Sequence, residues 1–350
     1  MIKQRLILLF DGTWNDPEDQ TNVFRIAGRI HEHDGDTRQS FFYDPGVGTG
    51  TFDRFRGGVF GAGLSKNLLQ GYEWLAKRYA NEDEIWIFGF SRGAYTARSL
   101  VGLIRKCGLL RIVTPSLLDS AEHIYRDKKL KPDCEECKAF RNSYSREPRV
   151  RFIGVWDTVG ALGIPGTSLS EHGKYSWFDT ELSGILDFAY HAVALDEHRA
   201  AYNVPLWTSD DGQKKPQNLD VEQRWFIGAH ANVGGGYGSG DVLADIPLQW
   251  MMEKASKVGL KLDEFNADTH AWKHAPVDSF KAFLKPFYAW YRKIRATGDG
   301  RHFRCFAKGM KGKPAIHVTV DSSVWLRWKD PKYHYRPRTL VDAGQHPPEQ

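Results

Sequence analysis

The segment around Ser91 constrains the fold of this chain more than any other feature. Ile85–Phe90 is an apolar run with the length and composition of a buried strand. It leads into a Gly-x-Ser-x-Gly motif, Gly89 to Gly93, and then into apolar residues at helical spacing: Ala94, Ala97, Leu100, Val101 and Ile104. A strand that turns sharply into a helix lifts a serine hydroxyl above the sheet. The pattern predicts a nucleophile at Ser91; the alternative is an ordinary glycine-rich turn of an α/β protein.

Apolar strands and helical patterns alternate along the chain. The predicted strands are Leu6–Phe10, Ser40–Tyr43, Ile85–Phe90, Val150–Trp156, Phe188–Leu195 and Arg224–Ala229. Helices are predicted from Thr21-Asn22 through His33, over Leu64–Tyr79, after Ser91 and over Ala244–Val258. This alternation predicts an α/β fold of the α/β-hydrolase type, a mainly parallel sheet with helices on both faces.

The length of 350 residues is compatible with a single domain over 1–350. Between 107 and 148 the apolar pattern weakens and charge rises, which predicts an insertion or cap. A second insertion or lid is predicted over 260–315.

Charge and cysteine content exclude several functional classes. The formal net charge of +5 is spread along the chain and gives no nucleic-acid footprint. Cys134 and Cys137 form a lone C-x-x-C without the two further ligands that a zinc site needs, so we expect neither a metal site nor a cofactor. The four cysteines are too few for a disulfide framework, which favours a reducing compartment. Leu6–Phe10 is too short for a signal peptide, which predicts a cytoplasmic protein or export without a cleaved signal. The sequence does not indicate the oligomeric state.

A serine nucleophile needs a base, and the base needs an orienting acid. Ser91, Asp157 and His230 occur in the order that the nucleophile-elbow fold uses, and each follows a predicted strand. Carboxyl ends of parallel strands meet at one edge of the sheet, so we expect the three side chains to share a site. Asp196, which also follows a strand, is the alternative acid, and His317 is the alternative base.

The same site needs N–H donors for an oxyanion. We expect one from the backbone of Arg92 at the start of a helix, and another from Gly12 or Thr13 after the first strand. Asp11 is expected to orient that loop or to bind a cation. His191, inside a predicted strand, is interpreted as a hydrogen-bonded core residue or as a residue that supports the site residues from behind.

Five stretches together resemble an uncharacterised α/β-hydrolase-like domain family related to the catalytic domains of type VI secretion phospholipase effectors. They are Leu9–Asn15, Tyr43–Gly48, Gly89–Tyr95, Val155–Val159, and His230 with Val233–Tyr237. The resemblance implies a serine esterase, for some relatives one that releases fatty acids from phospholipids, with Ser91, Asp157 and His230 as its triad. The chain departs from the family at Ala231-Asn232, where Ser-Asp is usual, and at His317–Val320, where His-Pro-Ser-Val is usual.

A lipid substrate needs an apolar surface near the site to which its acyl chains can bind. Phe280–Arg295 alternates aromatic and basic residues, which is typical of a helix on an anionic membrane, although Pro286 interrupts it and core or lid packing explains it as well. We therefore expect an esterase acting on lipid or lipid-like esters, with transient membrane-surface contact. The alternatives are a small-ester or amide hydrolase without a membrane role, and a non-catalytic binding protein.

Overall fold

A computed structural model describes residues 3–12, 17–46, 59–160, 181–238, 240–282, 300–309 and 312–349. The strands within these ranges are β1 (Gln4–Phe10), β2 (His33–Asp34), β3 (Thr37–Asp44), β4 (Glu84–Phe90), β5 (Leu109–Leu110), β6 (Ser145–Arg146), β7 (Val150–Trp156), β8 (Leu186–Ala194), β9 (Asp220–Phe226) and β10 (Val318–Val320). The α-helices there are α1 (Asn22–Ala27), α2 (Val59–Arg78), α3 (Arg92–Cys107), α4 (Pro115–Arg126), α5 (Glu135–Tyr144), α6 (His230–Gly234), α7 (Asp245–Lys257), α8 (Ser279–Ala282), α9 (Ser322–Lys329) and α10 (Arg338–Val341).

Eight of these strands form one sheet in the order β10-β9-β8-β7-β4-β1-β3-β2. Neighbouring strands are parallel except β2 and β3, which form an antiparallel pair. The strands of the parallel part therefore end at the same edge, and the loops that follow them collect there. This architecture confirms the predicted mainly parallel α/β-hydrolase-like fold.

The side chains of β1 show how the sheet separates two cores. Leu6, Leu8 and Phe10 pack with α2, α3 and α4 on one face. Ile7 and Leu9 pack with α1 and α7 on the other. Side chains at alternate positions of a strand point to opposite faces, and here both faces are buried. The sequence of β1 is therefore a continuous apolar run rather than an alternation of apolar and polar residues. A third apolar cluster covers the β9 end of the sheet and includes residues of α9.

The first predicted helix is shorter in the structure, and the predicted insertion contains two helices. The first helix ends at Ala27 rather than continuing to His33, because the chain turns after Gly28 and His33 pairs with Arg38 in the sheet. Segment 107–148 contains α4 and α5, which pack against α3. Its role as a cap stays a prediction, as does that of 260–315 as a lid.

Candidate active site

Ser91 stands at the sharp bend between β4 and α3. Its backbone has φ 59° and ψ −120°, a conformation that a residue with a side chain adopts only at a cost of about 1–3 kcal/mol. Hydrogen bonds on either side fix the bend: the Ser91 amide donates to the Trp156 carbonyl at 3.1 Å, and the Tyr95 amide donates to the Ser91 carbonyl at 3.3 Å. Strained backbone of this kind is what a nucleophile elbow uses to present its hydroxyl.

The glycines of the motif are required by close backbone contacts. A Cβ on Gly93 would lie 2.1 Å from the Phe10 carbonyl oxygen, and one on Gly89 would lie 2.7 Å from the Gly93 carbonyl oxygen. Helix α3 therefore begins directly against the ends of β1 and β4. This packing holds Ser91 at the edge where the strands end.

His230 reaches both Ser91 and Asp157. Its Nε2 lies 2.8 Å from Ser91 Oγ, and its Nδ1 lies 2.6 Å from Asp157 Oδ2. The ring packs against two aromatic side chains, with centroid distances of 4.7 Å to Phe90 and 5.0 Å to Tyr202. The structure thus brings together the three side chains that the sequence analysis selected, in the order hydroxyl, imidazole, carboxylate.

The Asp157 carboxylate is completely buried and lies among hydrogen-bond donors. Oδ1 accepts from the Ala194 amide at 2.9 Å and from Arg304 Nη1 at 2.6 Å. Oδ2 contacts His230 Nδ1 and accepts from Arg304 Nη2 at 2.9 Å. Burial alone would raise the pKa of Asp157, but the charge of Arg304 and the hydrogen bonds from His230 and Arg304 hold the pKa well below its usual value.

Burial lowers the pKa of His230 below its ordinary value of 6.5, although the Asp157 carboxylate opposes that shift. Burial therefore favours the neutral form of the imidazole. A neutral ring whose Nδ1 proton bonds Asp157 has Nε2 free to accept a proton from Ser91. This is the protonation state that a general base requires.

A second carboxylate, Glu197, lies next to the imidazole. Glu197 Oε2 accepts from the His230 amide at 3.3 Å and from Ser279 Oγ at 3.0 Å. Arg199 binds both carboxylate oxygens, at 2.9 and 2.7 Å, and its guanidinium lies 3.6 Å from the centroid of the Tyr202 ring. Glu197 thus holds the backbone at the start of α6, a function that sequence reasoning did not identify.

The backbone amides predicted as oxyanion donors, those of Arg92 and of Gly12 or Thr13, differ in their surroundings. The Arg92 amide belongs to the first turn of α3, directly after Ser91, where helix N–H groups favour negative charge. The Gly12 amide, however, donates to Asp11 Oδ1 at 2.6 Å, because the carboxylate folds back onto the next peptide. This bond occupies the Gly12 amide in the structure, so its function as an oxyanion donor stays a prediction, and Thr13 lies outside the described residues.

Asp11 orients the loop after β1. Besides Gly12, its carboxylate accepts from Thr21 Oγ1 at 2.5 Å and from the Tyr43 hydroxyl at 2.8 Å. These bonds tie the loop to α1 and β3. Among the described residues no group of three His, Cys, Asp or Glu side chains could hold a metal ion.

The alternative acid and base occupy other positions. Asp196 Oδ2 accepts from the Gly228 amide at 2.7 Å and from the Tyr335 hydroxyl at 2.8 Å. The carboxylate that contacts the His230 imidazole is that of Asp157. His317 directly precedes β10, at the opposite end of a parallel strand, and its Nδ1 lies 3.1 Å from the Val221 carbonyl oxygen. The structure therefore does not bring His317 to Ser91.

His191 lies within β8 and is completely buried. Its Nε2 accepts from the Thr158 amide at 3.2 Å, and burial lowers its pKa to about 3. A neutral, hydrogen-bonded imidazole beneath the site agrees with its interpretation as a core residue.

Two other expectations concern the surface. Of the predicted amphipathic segment Phe280–Arg295, only residues 280–282 are described, so the remainder lies outside the described residues. No helix among the described residues is long and apolar enough to cross a bilayer.

Comparison with known proteins shows what this chain is similar to. An uncharacterized protein of Saccharomyces cerevisiae is 28% identical over 231 residues, which cover 59% of this chain and 33% of that protein. A solved structure of an uncharacterized protein from Pseudomonas aeruginosa has a TM-score of 0.41 and 19% identity, covering 85% of this chain and 52% of that one. The structure of the Tle1 effector bound to the VgrG spike from the type 6 secretion system has a TM-score of 0.39 and 18% identity, covering 68% and 52%.

The chain spans about a third of the length of that curated relative and about half of each solved chain. The family description "T6SS, Phospholipase effector Tle1-like, catalytic domain" matches residues 4–254, which include Ser91, Asp157 and His230. This match confirms the resemblance inferred from the motifs, and the chain belongs to the Tle1-like phospholipase effector catalytic domain family.

Proposed function

We propose that this protein is a serine hydrolase that cleaves carboxylic esters of phospholipids or similar lipids through an acyl-serine intermediate. The observation that carries the proposal is the continuous contact from Ser91 Oγ through the His230 ring to Asp157 Oδ2, with distances of 2.8 and 2.6 Å. The lipid ester as substrate is supported by the phospholipase description of the family.

In the acylation half-reaction, Ser91 Oγ attacks the ester carbonyl carbon while His230 Nε2 takes the hydroxyl proton. The negative charge on the former carbonyl oxygen faces the Arg92 amide at the positive end of α3. Asp157 keeps the Nδ1 proton in place and stabilises the imidazolium that forms. The bond to the alcohol then breaks, and His230 gives its proton to the departing oxygen, which leaves an acyl-serine.

Deacylation repeats these steps with water as the nucleophile. His230 Nε2 removes a proton from the water as its oxygen attacks the acyl carbon, and the same proton returns to Ser91 Oγ when the ester bond breaks. The products are a fatty acid and the regenerated hydroxyl. Each half-reaction thus uses the same neutral imidazole and the same charged carboxylate.

The test compares Ser91→Ala with Ser99→Ala, which changes a buried serine of α3, the helix that Ser91 directly precedes. Fatty-acid release is measured from phosphatidylglycerol and phosphatidylcholine vesicles, alongside hydrolysis of p-nitrophenyl butyrate. We expect Ser91→Ala to lose at least about a thousandfold in kcat, since the members of a triad act as a unit. The kcat of Ser99→Ala should stay near that of the wild type, because Ser99 is not part of the relay formed by Ser91, His230 and Asp157.

The outcomes separate the alternatives. Release of fatty acid that depends on Ser91 supports the lipid esterase. Hydrolysis of p-nitrophenyl butyrate alone indicates a small-ester hydrolase. No turnover of any ester by the folded wild type, or full turnover by Ser91→Ala, contradicts the proposal.

A further inference from the structure

All acceptor positions of the Asp157 carboxylate are occupied, and Arg304 occupies half of them. A carboxylate has about four lone-pair directions. The Ala194 amide and His230 Nδ1 take one on each oxygen, and the two terminal nitrogens of Arg304 take the others at 2.6 and 2.9 Å. A two-pronged contact of this kind fixes the rotation of the carboxylate as well as its position.

Arg304 is itself held in place. Its Nη1 also donates to the Ala194 carbonyl at 2.9 Å and its Nη2 to the Tyr202 carbonyl at 2.6 Å, and the side chain is 1% exposed. The segment that carries it is anchored by the His302 amide, which donates to the His198 carbonyl at 2.9 Å, and by Phe306, whose ring stacks on Trp225. The segment therefore reaches the end of β8 as a fixed part of the site.

The charges around His230 are arranged in two compensated pairs. Asp157 is paired with Arg304, and Glu197 is paired with Arg199. Besides these two pairs, four titratable or charged groups surround the imidazole and its partners. They are His191 in β8, Tyr202 after β8, Arg92 in α3 and Tyr237 after α6. Because each carboxylate next to the ring has its own guanidinium, little net negative charge remains to favour the imidazolium.

From this geometry we propose that Arg304 is a positioning residue of the site: it clamps the Asp157 carboxylate in the orientation that His230 uses, and its charge restrains the basicity of that imidazole. Arg304 lies beyond residue 254, where the family match ends. The segment after the matched region thus completes the site. The catalytic part of this inference rests on the proposed hydrolase function, while the electrostatic part can be measured without turnover.

Two variants separate the clamp from the charge. Arg304→Met removes both, and Arg304→Lys keeps the charge but loses the two-pronged contact. Arg141→Met, which removes another buried arginine that is paired with Glu147, controls for the general effect of such a loss. The readouts are the pKa of the His230 ring, followed by NMR on 15N-histidine-labelled full-length protein and assigned with His230→Gln, and the pH profile of kcat/KM.

We expect Arg304→Met to raise the pKa of His230 by about one unit, since a positive charge next to its carboxylate partner is lost. The acid limb of kcat/KM should move to higher pH by the same amount, and kcat should fall about tenfold to a hundredfold because the acid is misplaced. Arg304→Lys should leave the pKa of His230 within about 0.3 unit of the wild type, yet lose about tenfold in kcat. Arg141→Met should change neither quantity.

If Arg304→Met does not fold, Arg304→Gln, which retains an amide donor for Asp157, should show the same upward shift. A pKa of His230 that is unchanged in the neutral variants, or that rises equally in Arg141→Met, overturns the inference. Wild-type kcat in Arg304→Lys overturns the clamp. Should the wild type hydrolyse no ester, the proposed function fails, and the NMR titration still decides whether Arg304 controls His230.

Discussion

Asp157 and Asp196 follow neighbouring parallel strands, β7 and β8, at the same edge of the sheet, yet their surroundings differ. Asp157 meets a guanidinium and an imidazole. Asp196 meets only neutral donors among the bonds of its carboxylate in the described structure, the Gly228 amide and the Tyr335 hydroxyl. The comparison shows that the end of a strand brings a carboxylate to the site, whereas the partners from distant segments determine its charge.

The pKa shifts of the two groups have opposite signs. Burial is the largest influence on both and favours the neutral form. At Asp157 the positive charge of Arg304 and the bond to His230 reverse this influence and lower the pKa, whereas at Asp196 the neutral donors do not, and the pKa is raised. Of the two, Asp157 is the carboxylate whose surroundings favour the anion, which the proposed triad requires of its acid.

The largest expected effect is on turnover. Asp157→Asn should lower kcat by about a thousandfold to ten-thousandfold, because an amide in place of the carboxylate stabilises neither the required tautomer nor the imidazolium. Asp196→Asn should keep kcat within about threefold of the wild type. Initial rates with a soluble ester measure both.

The pair of variants is its own control, since each replaces one partly or fully buried carboxylate by its isosteric amide. A loss in Asp196→Asn as large as that in Asp157→Asn would show that the two carboxylates are not distinguished by function. Near-normal turnover in Asp157→Asn would remove Asp157 from the relay.

A smaller effect is expected on the free energy of unfolding. Asp157→Asn leaves Arg304 as a buried charge without its anion, so we expect a loss of about 3 kcal/mol at pH 7. Because the pKa of Asp157 is lowered on folding, this loss should shrink as pH falls below about 3.8, where the unfolded carboxyl protonates. Urea unfolding at pH 7 and pH 3 measures it.

Asp196→Asn should behave in the opposite way. Since folding raises the pKa of Asp196, its charge destabilises the fold at pH 7, and this penalty disappears below about pH 3.8. The amide should therefore leave the free energy of unfolding unchanged or slightly increased at pH 7, with less benefit at pH 3. A larger loss for Asp196→Asn than for Asp157→Asn at pH 7 would refute the assignment of their charges.

The smallest effect concerns the partner of Asp196. Tyr335→Phe removes one hydroxyl that donates to this carboxylate at 2.8 Å, and we expect a loss of about 1 kcal/mol in the free energy of unfolding. Turnover should not change, because the hydroxyl contacts no member of the relay. Unfolding curves and initial rates on the same preparation check both statements, and a tenfold drop in kcat would link Asp196 to the site after all.

The sequence made Ser91, Asp157 and His230 predictable because each follows a buried apolar strand, and parallel strands bring their ends together. The same reasoning could not choose between Asp157 and Asp196, since both satisfy it. What separates them is contributed by Arg304 and Tyr335, which lie 147 and 139 positions away along the chain. No local pattern marks either residue, so only the tertiary contact identifies them.

Local backbone chemistry accounts for the remaining differences. Gly12 follows a strand as an oxyanion donor should, but an aspartate directly before it reaches the same amide at 2.6 Å. Glu197 was overlooked because its contact is with the backbone of His230, and a carboxylate that supports a main-chain amide leaves no sequence motif.

The most direct test of the account is to identify the residue that a fluorophosphonate modifies. The full-length protein is treated with the probe, digested, and the adduct located by mass spectrometry, with Ser91→Ala and His230→Ala treated in parallel. We predict one adduct, on Ser91, in the wild type and none in either variant. A folded wild type that remains unlabelled, or an adduct that persists in Ser91→Ala at the wild-type rate, would contradict the central claim that His230 activates Ser91.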